Sequence, residues 1–66
     1  MGVNEALKQA RAKAGLSQNA LAYKVGVSRQ TINAVESGEH NPTIGLCIRI
    51  CKELNVTLND LFWNET

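Results

Sequence analysis

The stretch Ser-Gln-Asn-Ala-Leu-Ala-Tyr-Lys-Val-Gly-Val-Ser-Arg-Gln-Thr-Ile-Asn-Ala-Val-Glu-Ser-Gly, residues 17–38, leaves this chain few ways to fold. Twice within it a serine precedes a helical run. Serine is a favoured N-cap because its hydroxyl accepts a hydrogen bond from a backbone N–H of the first turn. Apolar residues follow each cap at helical spacing: Ala20, Leu21 and Val25 after Ser17, then Ile32 and Val35 after Ser28. Gly26 stands between the runs, where a positive φ is expected, and Gly38 ends the second. Leu16, just ahead of Ser17, can staple against Leu21. The pattern predicts two short helices joined by a tight turn, each turning one face inward.

The flanking segments read as support for that pair. Asn4 is an N-cap, and Glu5 sits in the first turn, where a negative charge suits the helix dipole. Residues 5–14 are rich in helix formers, with Leu7, Ala10 and Ala14 as the inward stripe and Gly15 at the helix end. After the loop Glu39-His40-Asn41-Pro42, Thr43 caps a helix over 44–54. Its expected buried stripe is Ile44, Cys47, Ile48, Cys51 and Leu54, which leaves Leu46 and Ile50 as apolar surface at its side. Gly45 is costly in a helix interior; it either permits a close approach or is tolerated in the first turn. Asn55 is the C-cap, and Thr57 caps a last short helix over 58–62. The tail leaves two readings open: continued helix, or a short β-ribbon pairing residues 1–3 with 62–65.

Sixty-six residues make a single domain, 1–66, with a small core. No apolar run reaches the roughly 20 residues of a membrane span, and no leader resembles a secretory signal. The expectation is a soluble, cytoplasmic protein. Net charge is only +1, but it is unevenly spread. In residues 1–30, Lys8, Arg11, Lys13, Lys24 and Arg29 oppose Glu5 alone, a net of +4; in residues 31–66, Arg49 and Lys52 oppose Glu36, Glu39, Glu53, Asp60 and Glu65, a net of −3. The first half can face a polyanion, although an ordinary mixed-charge surface accounts for the same numbers. Two helices and a tight turn at these spacings can set the second helix into the major groove of DNA.

With these residues in register, the chain resembles the Cro/C1-type (XRE) helix-turn-helix regulators, in their minimal stand-alone form. The likeness is carried by Gly15-Leu16-Ser17-Gln18, Leu21-Ala22, Val25-Gly26-Val27-Ser28, Gln30-Thr31-Ile32, Glu36-Ser37-Gly38, Asn41-Pro42 and Leu54-Asn55-Val56-Thr57-Leu58. It spans about residues 4–62. It implies an all-α, five-helix, lambda-repressor-like domain with the helix-turn-helix at 17–37. It also implies a sequence-specific transcriptional regulator, most simply a repressor, that binds double-stranded DNA as a homodimer on a short palindromic operator.

The resemblance places Arg29, Gln30 and Asn33 at base edges. The chemistry agrees, since Arg can read guanine O6 and N7, while Gln and Asn can read adenine N6 and N7; a plain solvated helix face is the alternative. It places Ser17, Gln18, Ser28, Thr31, Ser37 and Asn41 at backbone phosphates, with Gln18 also bracing the recognition helix. Asn41 can instead simply close the turn before Pro42. Arg11 and Glu36 match a pair that ties helices 1 and 3 together. Dimerisation, on this reading, uses Leu46, Ile50, Leu61, Phe62 and Trp63.

Other classes of function find little support. His40 has no nucleophile or acid arranged beside it, and no phosphate loop, carboxylate pair or metal cluster is visible, so no catalysis, cofactor or metal is expected. No small-molecule ligand is evident. Cys47 and Cys51, four apart on an inward stripe, read as small hydrophobes rather than a disulfide or a redox sensor. The same fold can also serve as a protein-interaction module, such as an antitoxin or co-activator, and the Leu-Phe-Trp end is the feature that favours it.

Overall fold

The computed structural model describes residues 3–62, which form five helices in chain order: α1 (Glu5–Lys13), α2 (Gln18–Val25), α3 (Arg29–Ser37), α4 (Ile44–Leu54) and α5 (Leu58–Leu61). Each starts where a local cap allows. Asn4, Ser17, Ser28, Thr43 and Thr57 accept through their side chains from the N–H groups of Leu7, Ala20, Thr31, Leu46 and Asp60. Three residues separate cap from donor each time, which is why this feature is legible from sequence. Thr57 does more than cap: Asp60 accepts in return from the Thr57 N–H at 2.9 Å, completing a capping box.

The short α2–α3 connection depends on Gly26, whose φ of 78° closes α2 in the left-handed region. An L side chain there would be strained even though no atom blocks the space. Asn55 does the same at the end of α4 with φ 59°, the single non-glycine residue at positive φ among those described. Asn is the side chain that tolerates this region best.

Leu7, Leu21, Ile32 and Ile50 are the largest fully buried side chains. Around them pack Ala22, Val25, Val35, Leu46, Cys51, Leu54 and Leu61, with Leu16, Val27, Val56, Leu58 and Phe62 partly buried at the margin. Asn4 ties three helices together. Its backbone N–H donates to the Glu36 carbonyl at 2.8 Å, its side-chain amide donates to the Leu61 carbonyl at 3.1 Å, and its side-chain oxygen caps α1.

Three expectations about facing are corrected. Ala14 is exposed, because α1 has ended by that residue, and Ala22, not foreseen as core, is 2 % exposed. On α4 the buried stripe is Leu46, Cys47, Ile50, Cys51 and Leu54, whereas Ile44 and Ile48 are 66 % and 40 % exposed. The helix is turned by less than one residue step, about 100°, from the expected orientation. It packs on α2 and α5 at once, and the Leu46–Ile50–Leu54 row fills the space between them. Leu46, Ile50 and Leu61 are therefore core residues and offer no surface to a second copy. Gly45 makes no close approach: a methyl group there would meet only the Thr43 hydroxyl, at 4.0 Å.

The described residues contain no strand. The expected terminal ribbon rests mostly on residues 1, 2 and 63–65, which lie outside those described, as does Trp63. Among the described residues no helix is long and apolar enough to cross a membrane.

Candidate nucleic-acid interface

Helix α3 is divided lengthwise. Ile32 and Val35 are 0 % and 3 % exposed, while Arg29, Gln30 and Asn33 are all exposed. Residues at i, i+1 and i+4 share one side of a helix, so these three form one outward polar face. The buried side locks the helix against α2, and the outward side is left to chemistry.

Beneath that face lies a buried polar cluster. Glu36, on α3, is 2 % exposed. Arg11 of α1 reaches it with two of the three arms of its guanidinium: Nε donates to Oε2 at 2.6 Å and Nη2 donates to Oε1 at 3.2 Å. The third arm, Nη1, donates to the Leu16 carbonyl at 2.9 Å, which fixes the α1–α2 connection. Such a two-pronged, charge-assisted pair is geometrically specific. Gln18, the first residue of α2, joins it: Nε2 donates to Glu36 Oε1 at 2.9 Å and to Asn33 Oδ1 at 3.2 Å. Four side chains from three helices thus form one connected network. No buried side-chain N or O atom among the described residues lacks a partner. The Gln18–Asn33 contact was not legible in the sequence, because it spans 15 positions and depends on how α2 crosses α3.

The residues expected at phosphates cluster at the N-termini of α2 and α3 and just beyond α3. Their spare hydrogens differ. Ser17 accepts from Ala20 and keeps its hydroxyl hydrogen. Ser28 and Thr31 share one hydrogen bond at 3.1 Å, which leaves one hydroxyl hydrogen between them. Ser37 donates to the Ala34 carbonyl at 3.1 Å, and Gln18 has both amide hydrogens committed within the network. The backbone amides of Gln18 and Asn19, at the start of α2, have no intrahelical acceptor and point where an anion can bind. Asn41 is exposed in the loop after α3.

Away from this face, the two other ion pairs among the described residues are surface contacts: Lys8 with Glu5 and Lys24 with Glu53, each at 3.8 Å. Cys47 and Cys51 are free and buried. Burial pushes both thiols up from their ordinary pKa, and for Cys51 the nearby Cys47 and Asp60 add to the rise. Raised, buried thiols are poor nucleophiles. Among the described residues no group of three or more His, Cys, Asp and Glu is placed to hold a metal ion.

Comparison with known proteins agrees with the geometry. Residues 7–61 match the family described as Helix-turn-helix (HTH_3). The chain is 42% identical over 59 residues to YgzD, an HTH-type transcriptional regulator of Bacillus subtilis, covering 89% of each chain. It is 46% identical over 59 residues to an HTH-type transcriptional regulator of Methanocaldococcus jannaschii, again over 89% of each. Among solved structures it superimposes on the restriction-modification controller protein C.AhdI from Aeromonas hydrophila with a TM-score of 0.82 and 29% identity, covering 88% of both chains. This chain belongs to the Cro/C1-type (XRE) family of helix-turn-helix, DNA-binding transcriptional regulators, and its fold class is not that of an enzyme.

Proposed function

We propose that this regulator represses transcription from inside the cell. It binds a short, approximately palindromic operator as a homodimer, with α3 of each copy in a major groove. The observation that carries this reading is the division of α3, with three exposed hydrogen-bonding side chains on one side and a locked apolar stripe on the other. Arg29 and Gln30 open the helix and read base edges, and Asn33 reads one turn further on. Ser17, the Ser28–Thr31 pair, Asn41 and the amides at the start of α2 grip phosphates and set the register; such contacts position a protein without reading sequence. The Arg11–Glu36 pair holds α3 at its angle.

A nine-residue helix, about 14 Å long, presents few reading side chains, so two copies on half-sites about 34 Å apart supply the needed discrimination. With Leu46, Ile50 and Leu61 in the core, the surface left for a second copy is Ile44 and Ile48, one turn apart on α4, together with the half-buried Phe62. Bound across a promoter, the dimer excludes polymerase.

Fluorescence anisotropy on duplex DNA from the protein's own upstream region, across a salt series and beside a scrambled duplex, tests the reading. Tight binding to the upstream DNA, two chains per site and a steep salt slope are expected. Arg29→Ala and Gln30→Ala each weaken that binding by about 1–3 kcal/mol without unfolding the protein. Equal losses on operator and scrambled DNA would remove the base-reading role.

A further inference from the structure

The polar network beneath α3 runs in one direction. Arg11 can only donate, and ionised Glu36 can only accept. The atom of Gln18 that sits 2.9 Å from Glu36 Oε1 is therefore its amide nitrogen. That same nitrogen lies 3.2 Å from the Asn33 side chain, so the Asn33 atom facing it is the oxygen; a nitrogen there would set two donors against each other. An amide carries its oxygen and nitrogen on opposite prongs. With Oδ1 turned in toward Gln18, Nδ2 of Asn33 is the prong left for the outward face that also carries Arg29 and Gln30.

From this we propose that Gln18 is a positioning residue that presets Asn33 as a hydrogen-bond donor, so that the base opposite Asn33 is one with a major-groove acceptor, guanine, thymine or adenine, and not cytosine. The inference rests on α3 reading bases. Guanine offers N7 and O6 as acceptors in the major groove and thymine offers O4, whereas cytosine offers only an amino donor. Adenine is matched two-pronged by asparagine only when both amide prongs face it; with one engaged by Gln18, the single bond from Nδ2 to N7 remains. The charge of a buried ion pair between α1 and α3 thus fixes, through one glutamine on α2, the chemistry of a side chain on the surface. Gln18 also has no amide hydrogen left for a phosphate, so its side chain serves Asn33, and the phosphate grip at this end of α2 belongs to its backbone.

The test selects binding sequences from a randomised duplex library with the wild-type protein. Base preferences are then measured by competition for wild type, Asn33→Ala, Asn33→Asp and Gln18→Ala. Asn33→Ala flattens one position per half-site and so locates the base it reads. At that position the wild type prefers guanine, thymine or adenine over cytosine by about fivefold or more, the worth of a single hydrogen bond. Asn33→Asp, which presents an acceptor, shifts the preference to cytosine. Gln18→Ala flattens the same position and leaves those read by Arg29 and Gln30 intact.

Three results overturn the proposal: uniform weakening by Gln18→Ala with an unchanged profile, a wild-type preference for cytosine at the Asn33 position, or no position that responds to Asn33→Ala. In each of these the enriched sequence itself, with its dependence on Arg29 and Gln30, still stands for base reading by α3. A library with no enriched sequence removes base reading altogether, and the proposal with it. Asn33 is exposed, so Asn33→Asp keeps the test alive should Gln18→Ala fail to fold.

Discussion

Helices α3 and α4 are close in length, nine and eleven residues, yet they differ in how their faces are decided. In α3 the apolar residues Ile32 and Val35 stand against Arg29, Gln30 and Asn33, and only one orientation buries the former and wets the latter. In α4 seven of eleven residues are Ile, Leu or Cys, more than one face of a helix holds. Two orientations bury a similar number of apolar side chains. The neighbours α2 and α5 choose between them, burying Leu46 and Ile50 and leaving Ile44 and Ile48 to solvent. Local contrast sets one helix, and tertiary packing sets the other. The surplus of apolar residues on α4 is also what leaves Ile44 and Ile48 exposed, the pair proposed to meet a second copy.

The sharpest way to break this contrast is on α4. Ile50 is fully buried, and Ile50→Ala is expected to cost about 2–5 kcal/mol of stability through lost burial and the cavity left behind. Ile48→Ala, two residues away, costs about 1 kcal/mol at most. If the proposed homodimer forms through this face, the substitution instead raises the dimer dissociation constant, measured by analytical ultracentrifugation. Denaturant titrations of the two variants decide the matter, and equal losses of stability would mean that both faces of α4 are packed.

On α3 the corresponding test removes the buried charge. Glu36→Ala strands the Arg11 guanidinium, whose side chain is only 17% exposed, and removes one of the two acceptors of Gln18. Breaking a buried pair from one side costs about 3–5 kcal/mol. Partial access of water to Arg11 reduces this to about 2–3 kcal/mol. The penalty exceeds what the pair itself contributes, because the unpaired cation remains. Glu36→Ala combined with Arg11→Met is therefore expected to recover part of the loss in the same titration.

A smaller effect of opposite sign comes from Gly45. Nothing occupies the space where its side chain would be, and its φ is not in the left-handed region. Gly45→Ala restricts the unfolded chain and favours the helix, so a gain of about 0.4–1 kcal/mol is expected. A loss would show that α4 needs its first turn to be pliable.

These cases mark what the sequence can carry. All five caps were readable, because a cap and its donor lie three residues apart and the chemistry is settled before the helices meet. The outward face of α3 was readable from side-chain contrast, and the pairing of Arg11 with Glu36 from the family resemblance. The orientation of α4 was not, because its pattern is apolar nearly all round. Neither was the joining of Gln18 to Asn33, nor the link from Asn4 to Leu61 across 57 positions, since both bonds exist only once the helices have crossed.

The start of α5 carries the same lesson in a single titration, since its stability is local and its expected effect is the smallest here. Asp60 receives hydrogen bonds from the Thr57 backbone and side chain, and these hold its carboxyl below the ordinary value of 3.8. A carboxyl depressed in the folded state binds its proton more readily when the chain is unfolded. Its contribution is therefore fully present above the ordinary Asp value and is lost as pH falls through the lower, folded value. Asn in place of Asp60 keeps the acceptor oxygen and removes the charge. Wild type is expected to melt slightly above Asp60→Asn at neutral pH, and the two melting curves should converge once pH falls below the lower, folded value of Asp60, where protonated Asp and Asn are near equivalents. The other carboxylates are common to both proteins and cancel from the difference. A gap that persists to the lowest pH would mean that Asp60 acts through its shape in the cap rather than through its charge.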